Sequence, residues 1–156
     1  MTEWLSILQN NDYLAAKKLI KEGGDLNVST EAGESVLAYA IKCRCDREML
    51  ALLIENGANL FYKDEEGVSI FDFAITYNNR YIIDLLLEKG IDVNETSRRS
   101  GFTALMAAVC YGRIDIVKLL LDAGADAGAV DSKGLRALDF AKKMHKKSMI
   151  EILEAR

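Results

Sequence analysis

The sequence predicts an all-α solenoid of hairpin–helix–turn–helix units, and three observations lead there. Glycines recur at a nearly constant interval: Gly23, Gly57, Gly90 and Gly124 at steps of 34, 33 and 34, and Gly33, Gly67, Gly101 and Gly134 at steps of 34, 34 and 33. Self-similarity at that period marks stacked supersecondary units, none of which buries its apolar face alone. Between the glycines, apolar residues follow i, i+3, i+4 spacing, as in Ile82-Ile83-Leu86-Leu87 and Ile116-Val117-Leu120-Leu121, which is a helical period. Blocks aligned on the second glycine series also share columns. Leu37, Phe71, Leu105 and Leu138 stand four residues after the glycine, and Ala40, Ala74, Ala108 and Ala141 stand seven after it.

Each block reads as a short inner helix, a turn, a longer outer helix and a loop. Ser35, Ser69 and Thr103 precede the inner helices, where a hydroxyl N-cap is wanted. Gly23, Gly57, Gly90 and Gly124 follow the outer helices, where a left-handed residue ends a helix without a Cβ penalty. Asn11, Asn78 and Gly112 occupy the turn between helices, and the second block carries one extra residue there, within Cys43-Arg44-Cys45-Asp46. The alanine column implies close inner-helix packing, since a larger side chain would force the helices apart. Leu19-Ile20, Leu53-Ile54, Leu86-Leu87 and Leu120-Leu121 fill the space between inner and outer helices.

Half of the 156 residues are apolar, enough for a substantial core. The net charge of −4 with interleaved signs argues against a dedicated nucleic-acid binder. Charge is uneven along the chain: residues 1–78 carry 7 basic and 13 acidic groups, residues 79–156 carry 13 and 11. Met1-Thr2-Glu3-Trp4 lacks the basic opening of a signal peptide, apolar runs such as 49–54 are far short of a membrane span, and three cysteines form no even framework. The expected compartment is the cytoplasm.

No chemistry-bearing constellation stands out. His145, the single histidine, has no nucleophile beside it in sequence. Glu65-Glu66 falls on a hairpin tip, in water, where nothing raises a carboxyl pKa for acid–base work. Cys43 and Cys45 supply at most two sulfurs toward a metal site that wants four ligands. Catalytic, cofactor and metal sites are therefore all expected to be none. The basic stretch Lys142-Lys143-Met144-His145-Lys146-Lys147 fits cations at an inner-helix C-terminus, or a surface for an acidic partner.

The stretches Gly101-Phe102-Thr103-Ala104-Leu105-Met106-Ala107-Ala108, Leu120-Leu121-Asp122-Ala123-Gly124-Ala125-Asp126 and Leu86-Leu87-Glu88-Lys89-Gly90-Ile91-Asp92-Val93-Asn94 resemble the ankyrin repeat. The resemblance implies one ankyrin-repeat domain over 1–156: an N-terminal capping helix pair 1–27, internal repeats 28–61, 62–94 and 95–128, and a C-terminal capping repeat 129–156. The chain departs from the family pattern in two ways. No proline is present, and the family's histidine is replaced by Ala38, Asp72, Met106 and Asp139, which removes its hydroxyl–imidazole bond. The hairpin before Gly101 is one residue longer than the others.

The resemblance also implies function: a non-enzymatic module that binds a protein partner through its concave face and hairpin tips. The family's variable contact positions here hold Val68, Tyr77, Phe102, Tyr111, Leu135 and Met144, an apolar and aromatic stripe suited to anchoring an interface. The tips add the acidic Asp64-Glu65-Glu66 and the basic Arg98-Arg99, whose forks suit carboxylate or phosphate. Phe61-Tyr62, at a position the family fills with small or polar residues, either presents a second sticky spot or braces the hairpin base. The expected partner is a protein, with no nucleic acid and no membrane, and the free chain is expected to be a monomer. Because free-standing relatives occur in bacteria as accessories of enzymes, including haem enzymes, the alternatives are a small-ligand or haem carrier using Tyr77, Tyr111, Met144 or His145, an accessory to a partner enzyme, or a secreted effector.

Overall fold

The computed structural model describes residues 1–156 as ten α-helices. They are α1 (Thr2–Gln9), α2 (Tyr13–Lys21), α3 (Val36–Lys42), α4 (Arg47–Glu55), α5 (Ile70–Thr76), α6 (Arg80–Glu88), α7 (Ala104–Cys110), α8 (Ile114–Asp122), α9 (Ala137–Lys143) and α10 (Lys147–Glu154). There is no strand, only isolated antiparallel bridges such as Ser29 with Ser35 and Lys63 with Ser69 at hairpin bases. Helices of seven to nine residues are marginal in isolation, so their stability comes from stacking. No helix is long and apolar enough to cross a membrane.

The chain forms two compact units, Met1–Phe73 and Ala74–Arg156, which divide inside α5. In the first, α1 packs on α2 and α3, α3 on α4, and α2 on α4, so inner helices stack on inner and outer on outer. Trp4 and Leu8 of α1, Val36, Leu37 and Ile41 of α3, and Met49, Leu50 and Leu53 of α4 are buried between them. The Trp4 indole N–H donates to the Asp25 carbonyl at 2.9 Å. In the second unit α7 packs on α8 and α9, and α9 on α10. Ile82, Ile83 and Leu86, Leu105 through Val109, Ile116, Val117, Leu120, Met149 and Leu153 make up its core. The alanine column is wholly buried in both units, as close inner-helix packing requires.

Every inter-helix turn carries one left-handed residue. Asn11, Asn78 and Gly112 are left-handed at φ 47, 55 and 69, but so are Arg44 and His145, at φ 59 and 54. His145 is thus a turn residue. The extra residue of the second block is accommodated after Arg44, whose successor Cys45 turns inward and is buried.

The expected helix caps are present. Ser35 accepts from the Ala38 N–H, Ser69 from Asp72 at 3.1 Å, and Thr103 from Met106 at 3.2 Å. The loss of the family's histidine does not leave these turns open. Asp72 returns a bond to the Ser69 N–H at 2.9 Å, Asp139 to the Arg136 N–H at 2.8 Å, and the Met106 sulfur accepts from the Thr103 N–H at 3.4 Å. With Ser69 and Thr103 these bonds close reciprocal caps, whereas Arg136 has no side-chain acceptor and its guanidinium instead donates to the Asp139 carboxylate.

Two further devices order the hairpins, one within each tip and one between neighbouring loops. Thr30, Asp64 and Asp131 each accept, through a side-chain oxygen, the backbone N–H four residues on, at Glu34 (3.1 Å), Val68 (2.9 Å) and Leu135 (2.9 Å). Asn27 accepts from the Asn59 N–H and donates to the Gly57 carbonyl, and Asn94 does the same with Asp126 and Gly124. One asparagine amide thus bridges two loops about thirty residues apart, satisfying backbone groups that would otherwise face outward unpaired.

Candidate interaction surface

In the second unit, three inter-helix turns stack: 77–79, 111–113 and 144–146. They are joined by side chains reaching back to the carbonyl ends of inner helices. Arg113 Nη2 donates to the Thr76 carbonyl at 2.8 Å, and Lys146 Nζ to the Val109 carbonyl at 3.4 Å. In the first unit the Cys45 thiol donates to the Leu8 carbonyl at 3.2 Å. All three span 37 residues. The last carbonyls of a helix lack intrahelical donors and carry its negative dipole end, so a cation there is favourably placed. The signal was in the sequence, one residue after the left-handed Arg44, Gly112 and His145, but it is carried by Cys, Arg and Lys, a column with no common residue type.

The residues immediately after α5, α7 and α9 are Tyr77, Tyr111 and Met144. Tyr77 is half-buried, Tyr111 is 51% exposed and Met144 42% exposed. Ile114, beside Arg113, is also exposed. A recess of about 230 Å³ opens between the first two turns, lined by Asn78, Gly112, Arg113, Ile114, Asp115 and Ile116. Arg113 Nε is buried there with no hydrogen-bond acceptor.

The hairpin tips of the second unit place Phe102 and Leu135 half-buried. Phe102 lies edge-on to Phe140, ring centroids 5.5 Å apart and planes at 83°. The Arg98 guanidinium sits over the Phe102 ring at 5.3 Å, within cation–π range. Arg98 is thereby drawn onto its own hairpin, whereas Arg99 is exposed. Arg98 also stands three residues before Gly101, the position held by Thr30, Asp64 and Asp131 before their glycines. It supplies no carboxylate to the turn; Ser100 Oγ takes the Phe102 N–H at 3.3 Å and the Thr96 hydroxyl donates to the Phe102 carbonyl at 2.8 Å.

The remaining candidates belong to the first unit. Val68 is half-buried and held by Asp64, whose Oδ1 accepts from both Glu66 and Val68 N–H at 2.9 Å. Asp64 therefore shapes its hairpin, while Glu65 and Glu66 are exposed. The two rings at 61–62 part company: Phe61 is 59% exposed, and the Tyr62 hydroxyl donates to the Gly33 carbonyl at 2.6 Å, bracing the neighbouring hairpin.

The three cysteines are free thiols. Burial pushes the Cys45 thiol up to about 12, with Cys43 and Asp46 adding to the shift. Desolvation also raises Cys43 and Cys110 above the ordinary thiol range. None is activated as a nucleophile, which needs a depressed value. No three His, Cys, Asp or Glu side chains come together in a group fit to hold a metal ion.

Comparison with known proteins places this architecture. A family model described as ankyrin repeats (3 copies) matches residues 5–97, and a second, ankyrin repeats (many copies), matches residues 86–141. An ankyrin repeat protein of Fowlpox virus is 30% identical over 157 residues, covering 96% of this chain and 46% of its own. The mouse inhibitor of Bruton tyrosine kinase is 33% identical over 118 residues, covering 76% of this chain and 8% of its own. The chicken nuclear factor NF-kappa-B p105 subunit is 31% identical over 127 residues, covering 79% and 13%. The chain spans less than half the length of each of these relatives. It belongs to the ankyrin repeat family, whose repeats are protein–protein interaction modules.

Proposed function

We propose that this ankyrin repeat chain acts by holding a protein partner rather than by catalysis, and that the second unit supplies the main contact. One observation carries the reading. Tyr111 and Met144 occupy matched positions on stacked turns and leave large apolar side chains in water, where a monomer's core would gain by covering them. Tyr77, Phe102 and Leu135 extend that patch along the second unit, with Arg99 at its hairpin edge. In the first unit, Val68 with Glu65 and Glu66 is a separate candidate contact, and Asp64 serves it by fixing the hairpin. Three free thiols fit a reducing compartment, the cytoplasm.

The test is affinity capture with the full chain, comparing wild type with Tyr111→Ala/Met144→Ala under matched circular dichroism. A protein held by the wild type and absent from the folded double variant supports the reading. Equal retention by both moves the site elsewhere.

A further inference from the structure

We infer that the stacked turns of the second unit dock an acidic peptide segment of the partner, one carrying an aromatic or large aliphatic anchor. This inference rests on the interaction-module reading and names the partner's chemistry at that surface. The apolar part is the row of residues closing α5, α7 and α9, with Tyr111 and Met144 its exposed members. The rim is basic. Lys142 and Lys143 precede the last turn, His145 and Lys146 lie in it, and Lys147 follows it.

These cations divide by how far they are already engaged. Lys146 is committed to the Val109 carbonyl, and Lys142 lies 3.9 Å from Glu154. Lys143 and Lys147 are exposed and meet no carboxylate. On the recess side, Arg113 commits one nitrogen to Thr76 and keeps a buried Nε–H without an acceptor. The nearby Asp139 is held by Arg136, leaving Asp115 as the acid that lines the recess. Residues 74–156 carry 13 basic and 11 acidic groups, against 7 and 13 in residues 1–73. Within the basic unit, two uncompensated lysines beside two exposed apolar side chains select for a partner that is negative around an apolar anchor. Buried anchors supply affinity, while rim charges set partner sign and association rate.

Selection of a random twelve-residue peptide library on the full chain tests this. The recovered peptide, labelled with fluorescein, is then titrated by anisotropy against wild type, Lys143→Glu/Lys147→Glu, Tyr111→Ala and Lys118→Glu, each checked by circular dichroism. The expected winners are acidic and contain an aromatic or large aliphatic residue. Their affinity should fall about tenfold or more in the lysine double variant, fall in Tyr111→Ala, weaken with added salt, and hold in Lys118→Glu, which reverses an exposed lysine of α8 outside the patch. Neutral or basic winners, or acidic ones indifferent to the lysine reversal, overturn the inference and leave the interaction-module reading standing. A single-stranded DNA 20-mer that binds more tightly than any peptide through the same lysines overturns it in favour of nucleic acid. Failure to recover any peptide, together with equal retention in the capture experiment, overturns both.

Discussion

The 37-residue bridges make Arg113 a joint of the second unit, and its removal has a calculable cost. Arg113 Nη2 reaches the Thr76 carbonyl at 2.8 Å in a partly buried setting. A hydrogen bond to a charged group contributes about 1.5–3 kcal/mol, and a cation at a helix C-terminus adds about 0.3–1 kcal/mol. Against this, the buried Nε–H lacks an acceptor, and releasing an unsatisfied donor returns about 1–3 kcal/mol. At the midpoints of these ranges the balance favours the native side chain by about 1 kcal/mol. At about 2–4 °C per kcal/mol for a chain of this size, Arg113→Met should lower the melting temperature by about 2–4 °C. Methionine keeps most of the methylene stem, so the drop reports the bond and not the packing. Differential scanning calorimetry of wild type, Arg113→Met and Arg113→Lys is the assay. An Arg113→Met variant that melts with the wild type would refute the argument and make the bridge an ornament of the turn.

Three other substitutions probe the core, a cap and a backbone constraint. Leu120→Ala empties a fully buried site on α8 and should cost about 2–5 kcal/mol by urea titration, with half-buried Leu119→Ala costing clearly less; equal costs would remove the assignment of Leu120 to the core. Asp46 caps α4, and its carboxyl is held below the ordinary range by the Met49 N–H and the Asn11 side chain. A depressed folded-state pKa means that its stabilisation is full above about pH 4 and fades as pH falls through the folded value. Asp46→Ala should therefore cost about 1 kcal/mol at pH 7, narrowing in acid, and a gap that does not narrow would contradict the cause. Gly101 is left-handed at φ 68, and a Cβ there would approach Ser132 N to 3.2 Å, whereas at Gly134, φ 77, it would meet nothing. Both Gly→Ala changes should cost about 1–2 kcal/mol for the conformation, Gly101→Ala more; the reverse order, read from thermal melts, would be evidence against the close approach.

The fold was legible because its determinants are local and repeated. Glycines 33–34 residues apart, buried alanines and hydroxyl caps are residue types with one dominant physical use each. The candidate surface was only half legible. Tyr111 and Met144 are exposed where the columns placed them, but the partition of Phe61 from Tyr62 depends on a hydroxyl reaching Gly33, a contact 29 residues away that no local pattern encodes. The acceptors that close the inner-helix starts without histidine were hidden for a related reason. A carboxylate and a thioether share no propensity with imidazole, yet Asp72, Asp139 and Met106 each present an acceptor to the N–H three residues before them. Arg113, Lys146 and Cys45 escaped because the shared feature is a donor at a fixed place, not a residue type.

Arg98 is where the hairpin rule is broken, and the breach separates stability from recognition. Gly101 N–H donates to the Arg98 carbonyl at 3.0 Å, as Gly67 does to Asp64 and Gly134 to Asp131, so the turn itself is conventional and the extra residue lies upstream, within 91–97. What changes is the side chain. An aspartate at 98 would offer Oδ1 to the Phe102 N–H, as Asp64 and Asp131 do to Val68 and Leu135, and would take the guanidinium away from the Phe102 ring. The new hydrogen bond contributes about 0.5–1.5 kcal/mol, and the cation–π attraction it replaces contributes about 0.5–2 kcal/mol. Arg98→Asp should therefore leave the melting temperature within about 4 °C of wild type. Partner capture should nonetheless weaken, because Phe102 no longer has the group that holds its face and the hairpin tip changes sign. A variant that unfolds early while retaining its partner would show instead that Arg98 serves the hairpin alone, and that the basic tip contributes nothing to recognition.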